Sequence, residues 1–73
     1  MIKVFEDDLF FVRDDVESGI EIEESGKVEQ RYSVFSKVPY RRLKVYCGSK
    51  EWAIEQFWLN YDKFVDELEK DLE

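Results

Sequence analysis

The chain has 73 residues, of which 44% are hydrophobic and 16% aromatic, with only three glycines and one proline. This composition excludes a disordered low-complexity chain, which lacks the apolar side chains that offset the entropy of ordering. The net charge of −7 disfavours simple binding to nucleic-acid phosphates or to an anionic membrane surface. We therefore predict a single folded domain over residues 1–73.

Charge is distributed unevenly along the chain. Residues 1–26 carry nine acidic and two basic side chains, residues 27–49 one acidic and six basic, and residues 50–73 eight acidic and three basic. No linker or low-complexity segment separates these blocks, so the asymmetry is expected within one domain.

The residues before Gly48 predict β-strands within 1–47. A loop around Pro39 precedes the last of them. Apolar and polar side chains alternate around Ile2 and Val4, around Phe10 and Val12, around Ile20 and Ile22, around Val28, Tyr32 and Val34, and around Leu43, Val45 and Cys47.

Two hairpin turns are predicted. The first lies at 6–8, although residues 7–18 can alternatively form a short helix that begins at Asp7 and stops at Gly19. The second lies at 24–26 as a three-residue loop.

The choice of a three-residue loop follows from the pairing that it produces. It places Ile22 opposite Val28 and keeps one face of the sheet apolar. A two-residue loop would instead place Ile22 opposite Glu29.

A long amphipathic helix is predicted over about 50–72. Gly48 ends the preceding strand, and Ser49 can cap the helix. No glycine or proline interrupts the segment. We expect its apolar stripe, including Trp58, to be buried, with Phe64 at the margin. The stripe consists of Ile54, Phe57, Trp58, Tyr61, Val65, Leu68 and Leu72.

These elements predict an α+β fold. An antiparallel sheet of four to five strands is packed on its apolar face by one long C-terminal helix. A small open barrel with a terminal helix has the same order of elements and is the alternative.

The single cysteine bears on two questions, the cellular compartment of the protein and the packing of this side chain. Cys47 has no partner for a disulfide and alternates with apolar neighbours, so we expect a buried small side chain. The sequence shows neither an apolar leader nor a membrane-spanning run, which favours a cytoplasmic protein.

Catalytic and metal chemistry have few candidates in this sequence. It contains no histidine, and the pairs Asp7-Asp8 and Asp14-Asp15 lack the alternating oxygen ligands and glycine of a calcium-binding loop. It has no nucleophile elbow, phosphate loop or Cys–His pair. We therefore predict a protein that is not an enzyme and uses neither metal nor cofactor.

The predicted helix carries a row of acidic residues beside its core stripe. Trp52 and Leu59 lie next to this row, nearly opposite the core. An exposed tryptophan ringed by polar groups is a frequent anchor of protein–protein interfaces. The candidate partner-binding residues are Trp52, Glu55, Leu59, Asp62, Asp66 and Glu69.

The leading hypothesis is a small acidic protein that binds another protein and regulates or inhibits it. Carboxylates arrayed on a helix can imitate the phosphates of DNA. The expected partner therefore has a basic surface, such as the nucleic-acid channel of a nuclease. Immunity proteins and phage-encoded inhibitors of restriction or CRISPR systems are small and acidic in this way, which is an analogy of size and charge.

Two alternatives stand beside this hypothesis. The basic and aromatic segment 27–46 can bind single-stranded nucleic acid through Tyr32, Tyr40, Arg41 and Arg42 by base stacking and phosphate contacts. The chain can also be a structural subunit of a homo-oligomer, such as a homodimer that assembles through a strand edge or the Trp52 face.

Overall fold

A computed structural model describes residues 2–16 and 30–71 of the chain. The strands within these ranges form one open antiparallel sheet in the order β1-β2-β3-β4, which confirms the predicted α+β class. Neither described helix is long and apolar enough to cross a membrane. The elements are β1 (Ile2–Glu6), β2 (Phe10–Asp14), β3 (Arg31–Ser36), β4 (Arg41–Cys47), α1 (Lys50–Leu59) and α2 (Tyr61–Asp71).

The first hairpin turns at Asp7, as predicted, and β2 is a strand rather than part of a short helix. Asp7 Oδ1 accepts hydrogen bonds from Leu9 N at 2.8 Å and from Phe10 N at 2.7 Å. An aspartate that bonds the backbone two and three residues ahead stabilises a turn.

The second predicted hairpin lies outside the described residues. This applies to the predicted strands around Ile20, Ile22 and Val28 and to the loop at 24–26. β2 and β3, which flank this part of the chain, pair directly and place Val12 opposite Val34.

The C-terminal helix is interrupted at Asn60, so the prediction of one long helix is wrong. α1 ends at Leu59 and α2 begins at Tyr61, and Asn60 has φ −107° and ψ 12°, away from helical values. Asn60 Nδ2 donates to Gln56 O at 2.8 Å. Such side-chain bonds to the backbone compete with regular helix hydrogen bonding, which is why asparagine favours helix ends.

The core lies between one face of the sheet and the two helices. Phe10, Val12 and Val34 of the sheet and Phe57 of α1 are fully buried there. Phe64 is 5% exposed and stacks on Phe57 at 5.8 Å between ring centroids. Phe64 therefore belongs to the centre of the helical core stripe rather than to its margin.

Trp58 lies at the surface, so the prediction that it is buried is wrong. Its side chain is 51% exposed, whereas Ala53 and Phe57 are fully buried. The face of α1 that carries Ala53 and Phe57 meets the sheet, and the predicted stripe is rotated by about one residue. Ala53 is fully buried in the core although its side chain is small, so the spacing of large apolar residues does not reveal this position.

Cys47 is an exposed free thiol, which corrects the prediction of a buried side chain. The pairing of β3 and β4 shifts between Val34 and Phe35. A bulge of this kind reverses which alternate residues face the core. Tyr46, at 6% exposure, takes the core position instead.

The sheet face away from the helices carries a buried ionic cluster. Asp15 is fully buried and accepts from Arg13 Nε at 2.6 Å, from Arg31 Nε at 3.3 Å and from Ser33 Oγ at 2.6 Å. Because a buried charge is tolerated only when it is paired and hydrogen-bonded, Asp15 has a structural role in the sheet.

Candidate protein-binding surface

One side of α2 carries exposed carboxylates. Asp62 and Glu69 are spaced three and four residues from Val65, so they share its side of the helix, and Asp66 lies beside them. All three are exposed, and none forms an ion pair with another described residue. We call Asp62, Asp66 and Glu69 the acidic side of α2.

The side of α2 that faces β4 adjoins the acidic side and carries lysines and ion-paired acids. Lys63 and Lys70 are spaced four and three residues from Glu67, and three and four residues from Asp66, so they lie between these two acids. Glu67 accepts from Arg41 Nη2 at 3.3 Å, and Asp71 accepts from Arg41 Nη1 at 2.9 Å. A residue of β4 therefore pairs with both acids on this side, whereas the carboxylates of the acidic side of α2 form no ion pair with a described residue.

An exposed aromatic ring adjoins the acidic side of α2. Trp58 stacks on Tyr61 at 5.4 Å and meets Phe5 edge-on at 5.0 Å between ring centroids. Tyr61 precedes Val65 by four residues, so these rings lie on the same side of the helix as the carboxylates. Trp58 is held by its neighbours while half of its surface stays exposed, which suits it to anchor a partner.

The β1–β2 turn adds carboxylates near Tyr61. The Tyr61 hydroxyl donates to Asp7 Oδ2 at 3.2 Å. Burial raises the pKa of Tyr61, and the negative charges of Asp7 and Asp8 raise it further. The acidic surface is therefore assembled from two distant parts of the chain, and no local sequence signal shows that they meet.

The six predicted partner-binding residues lie in three places. Three of them form the acidic side of α2. Glu55 and Leu59 are exposed on α1, across the break at Asn60. Trp52, 43% exposed, meets Tyr46 edge-on at 5.6 Å and faces the β4 edge of the sheet, so it lies apart from the acidic side of α2.

The four residues of the nucleic-acid alternative are also dispersed. Tyr32 is 4% exposed within the core, so its ring offers no face to a base. Tyr40 is exposed on the other sheet face, where it stacks on Phe35 at 5.3 Å. Arg41 pairs with carboxylates of α2, and Arg42 is exposed without an ion pair to any described residue.

A groove of about 530 Å³ lies between β4 and the two helices. Its wall includes Tyr46, whose hydroxyl accepts from Asn60 Nδ2 at 3.5 Å. Burial raises the pKa of Tyr46, and the hydrogen bond from Asn60 opposes that change. The tyrosine is therefore neutral at physiological pH and contributes an uncharged polar group to the groove.

Within residues 2–16 and 30–71, no group of three or more histidine, cysteine, aspartate or glutamate side chains is placed to hold a metal ion. In comparisons with protein-family models, curated proteins and solved structures, nothing matches the chain. Its function is therefore inferred from surface geometry and charge.

Proposed function

We propose that this protein is a small acidic binding protein that regulates or inhibits a partner with a basic surface. The observation that carries the proposal is the acidic side of α2, whose carboxylates are exposed and form no ion pairs with described residues. The half-exposed Trp58 lies beside them. Together they offer a partner both charge and apolar area.

The two components of this surface have separate effects on binding. Attraction between opposite charges speeds association. Burial of a tryptophan anchor slows dissociation. A surface with both carboxylates and an exposed tryptophan therefore fits a protein partner better than it fits a free cation.

The nucleic-acid channel of a nuclease or related enzyme is a partner of this kind. It binds phosphates, and carboxylates along a helix present negative charge to the same basic residues. By occupying the channel the protein inhibits its target, an activity of the same general kind as that of immunity, anti-restriction and anti-CRISPR proteins.

We place this activity in the cytoplasm. Cys47 is a free and exposed thiol. Reducing conditions preserve such a thiol, whereas an oxidising compartment promotes disulfides between molecules.

Affinity capture from cell lysate, followed by association kinetics with the captured partner, tests the proposal. Asp62→Asn, Asp66→Asn and Glu69→Gln are combined in one variant. We expect about tenfold slower association at low salt and a weaker dependence on salt. Trp58→Ala should instead speed dissociation.

Two single substitutions form a matched pair. Glu51→Gln removes one exposed carboxylate at the start of α1, and Asp66→Asn removes one from the acidic side of α2. The first should slow association less than the second. Glu55→Gln reports whether the interface extends across Asn60. If the triple variant associates with its partner at the wild-type rate, the acidic side of α2 is not the interface and the proposal fails.

A further inference from the structure

The outer edge of β4 is unpaired among the described residues. β4 is the last strand in the sheet, and its described partner is β3. Gly48 N donates to Gln30 O at 3.1 Å, and hydrogen bonding to β3 alternates along an antiparallel strand from that point through Tyr46. The N–H and C=O groups of Val45 and Cys47 therefore point away from β3.

The groove described above runs beside this edge. Its lining includes Val45 and Cys47 of β4 together with Trp52 and Gln56 of α1. A paired strand lies about 4.8 Å from its neighbour. A peptide strand added to β4 would therefore lie in the groove and place alternate side chains against the helices.

The groove also carries unpaired positive charge. Lys44 and Lys63 line it, and neither forms an ion pair with a described residue. The acid in its lining, Glu67, is engaged by Arg41 at 3.3 Å. Neither lysine pairs with an acid within residues 2–16 and 30–71, although the chain has 18 acidic and 11 basic residues, so this side has a charge opposite to that of the acidic side of α2.

We propose that the β4 edge binds an acidic extended segment of another protein as an added strand. Main-chain hydrogen bonds to Val45 and Cys47 supply affinity, and carboxylates on alternate residues of the segment meet Lys44 and Lys63. This site uses other residues than the acidic side of α2 and is independent of the function proposed above.

Charge decides between this occupant and a second copy of the chain. Antiparallel pairing of two β4 strands brings Arg42 and Lys44 of one copy near the basic residues of the other. Like charges on neighbouring strands are destabilising. An acidic segment has the complementary charge.

Peptide binding to the full chain tests the proposal. The probe is a fluorescent synthetic peptide of alternating glutamate and valine, acetylated and amidated at its ends. Its controls are the lysine–valine peptide and a glutamate–valine peptide N-methylated at alternate backbone nitrogens. We expect the unmodified acidic peptide alone to bind, with a Kd below about 1 mM at low salt, and to slow hydrogen exchange at the Val45 and Cys47 amides.

Charge reversal on the protein gives a second test. Lys44→Glu with Lys63→Glu should weaken binding by about tenfold or more. Lys50→Glu with Lys70→Glu is the matched control, because both lysines are exposed, lie outside the groove lining and change the net charge equally. It should bind within about threefold of wild type, and thermal unfolding verifies that both variants fold.

Several results overturn the proposal. They are failure of the acidic peptide to bind, equal binding of the N-methylated peptide, and wild-type binding by the Lys44→Glu and Lys63→Glu variant. Protection of the Val45 and Cys47 amides in the free protein does so as well, because the edge is then already paired. Sedimentation analysis then shows whether a second copy of the chain is paired with the β4 edge.

Discussion

The Tyr61 hydroxyl donates a hydrogen bond to Asp7 Oδ2 at 3.2 Å and links the first turn of α2 to the β1–β2 turn. The other oxygen of this carboxylate accepts the Leu9 and Phe10 amides. One side chain therefore closes the first hairpin and positions α2 on it. The same contact brings the carboxylates of the turn near the helix.

Asp7→Asn should lower the pKa of Tyr61. Burial, the largest cause of the raised pKa, persists in the variant, but the negative charge of Asp7 is removed. A raised folded-state pKa contributes stability that is complete below the ordinary value of 10.0 and is lost as the pH rises through the folded-state value. The variant should therefore lose less stability above pH 10.0 than wild type does.

Titration of the tyrosine rings by NMR measures this change. Tyr46 is the internal control, because burial is the largest cause of its raised pKa and Asp7 is not among the causes. An unchanged titration of Tyr61 in Asp7→Asn would contradict the assignment.

Phe57→Ala should destabilise the protein much more than Trp58→Ala. Phe57 is fully buried, so truncation should cost about 3–5 kcal/mol. Trp58 is 51% exposed, so its truncation should cost only about 1–2 kcal/mol. Denaturant unfolding compares the two variants, and equal losses would place Trp58 in the core.

Asp15→Ala should be strongly destabilising. It leaves Arg13 and Arg31 without the buried carboxylate that both contact, and breaking one partner of a buried ion pair costs about 3–5 kcal/mol. Asp8→Ala is the control, because Asp8 is exposed and its loss should change stability by about 0.5 kcal/mol or less. Similar urea midpoints for the two variants would refute a structural role for the cluster.

Removal of two lysines should raise the pKa of Glu6. Hydrogen bonds from Lys3 and Lys37, each at 2.8 Å, hold this pKa at about 2, below the ordinary 4.5. Lys3→Met with Lys37→Met should return it toward 4.5. Because the folded-state pKa is lowered, the stabilisation is complete above pH 4.5 and is lost as the pH falls toward 2.

NMR titration of the Glu6 carboxylate measures this pKa. The group is exposed, so added salt should raise its pKa in the wild type and change it little in the double variant. A value that stays near 2 without the lysines would assign the lowered pKa to another cause.

The strands and the first turn could be predicted because their signals are local. Alternating side chains mark a half-buried strand, and Asp7 bonds amides two and three residues away. The errors concern longer-range packing. The rotation of α1 places the small Ala53 in the core, which the spacing of large apolar residues does not predict, and the exposure of Cys47 depends on a bulge in the pairing with β3.

The candidate site could be predicted in part for the same reason. The acidic side of α2 lies within one helix, so residue spacing is enough to group its carboxylates. The choice between Trp52 and Trp58 as their neighbour depends on the break at Asn60 and the rotation of α1. The approach of Asp7 and Asp8 depends on the fold, since Asp7 and Tyr61 are 54 positions apart in the sequence.

The acidic side of α2 and the adjoining side that faces β4 carry charges of opposite sign, which gives the protein an electric dipole. The carboxylates lie beside Trp58, and Lys63 lies beside β4, with Phe64 and Leu68 buried between the two sides. The field of an approaching partner exerts a torque on such a dipole and turns the molecule before contact. If both proposed sites bind as described, a basic partner and an acidic partner approach different sides of the molecule.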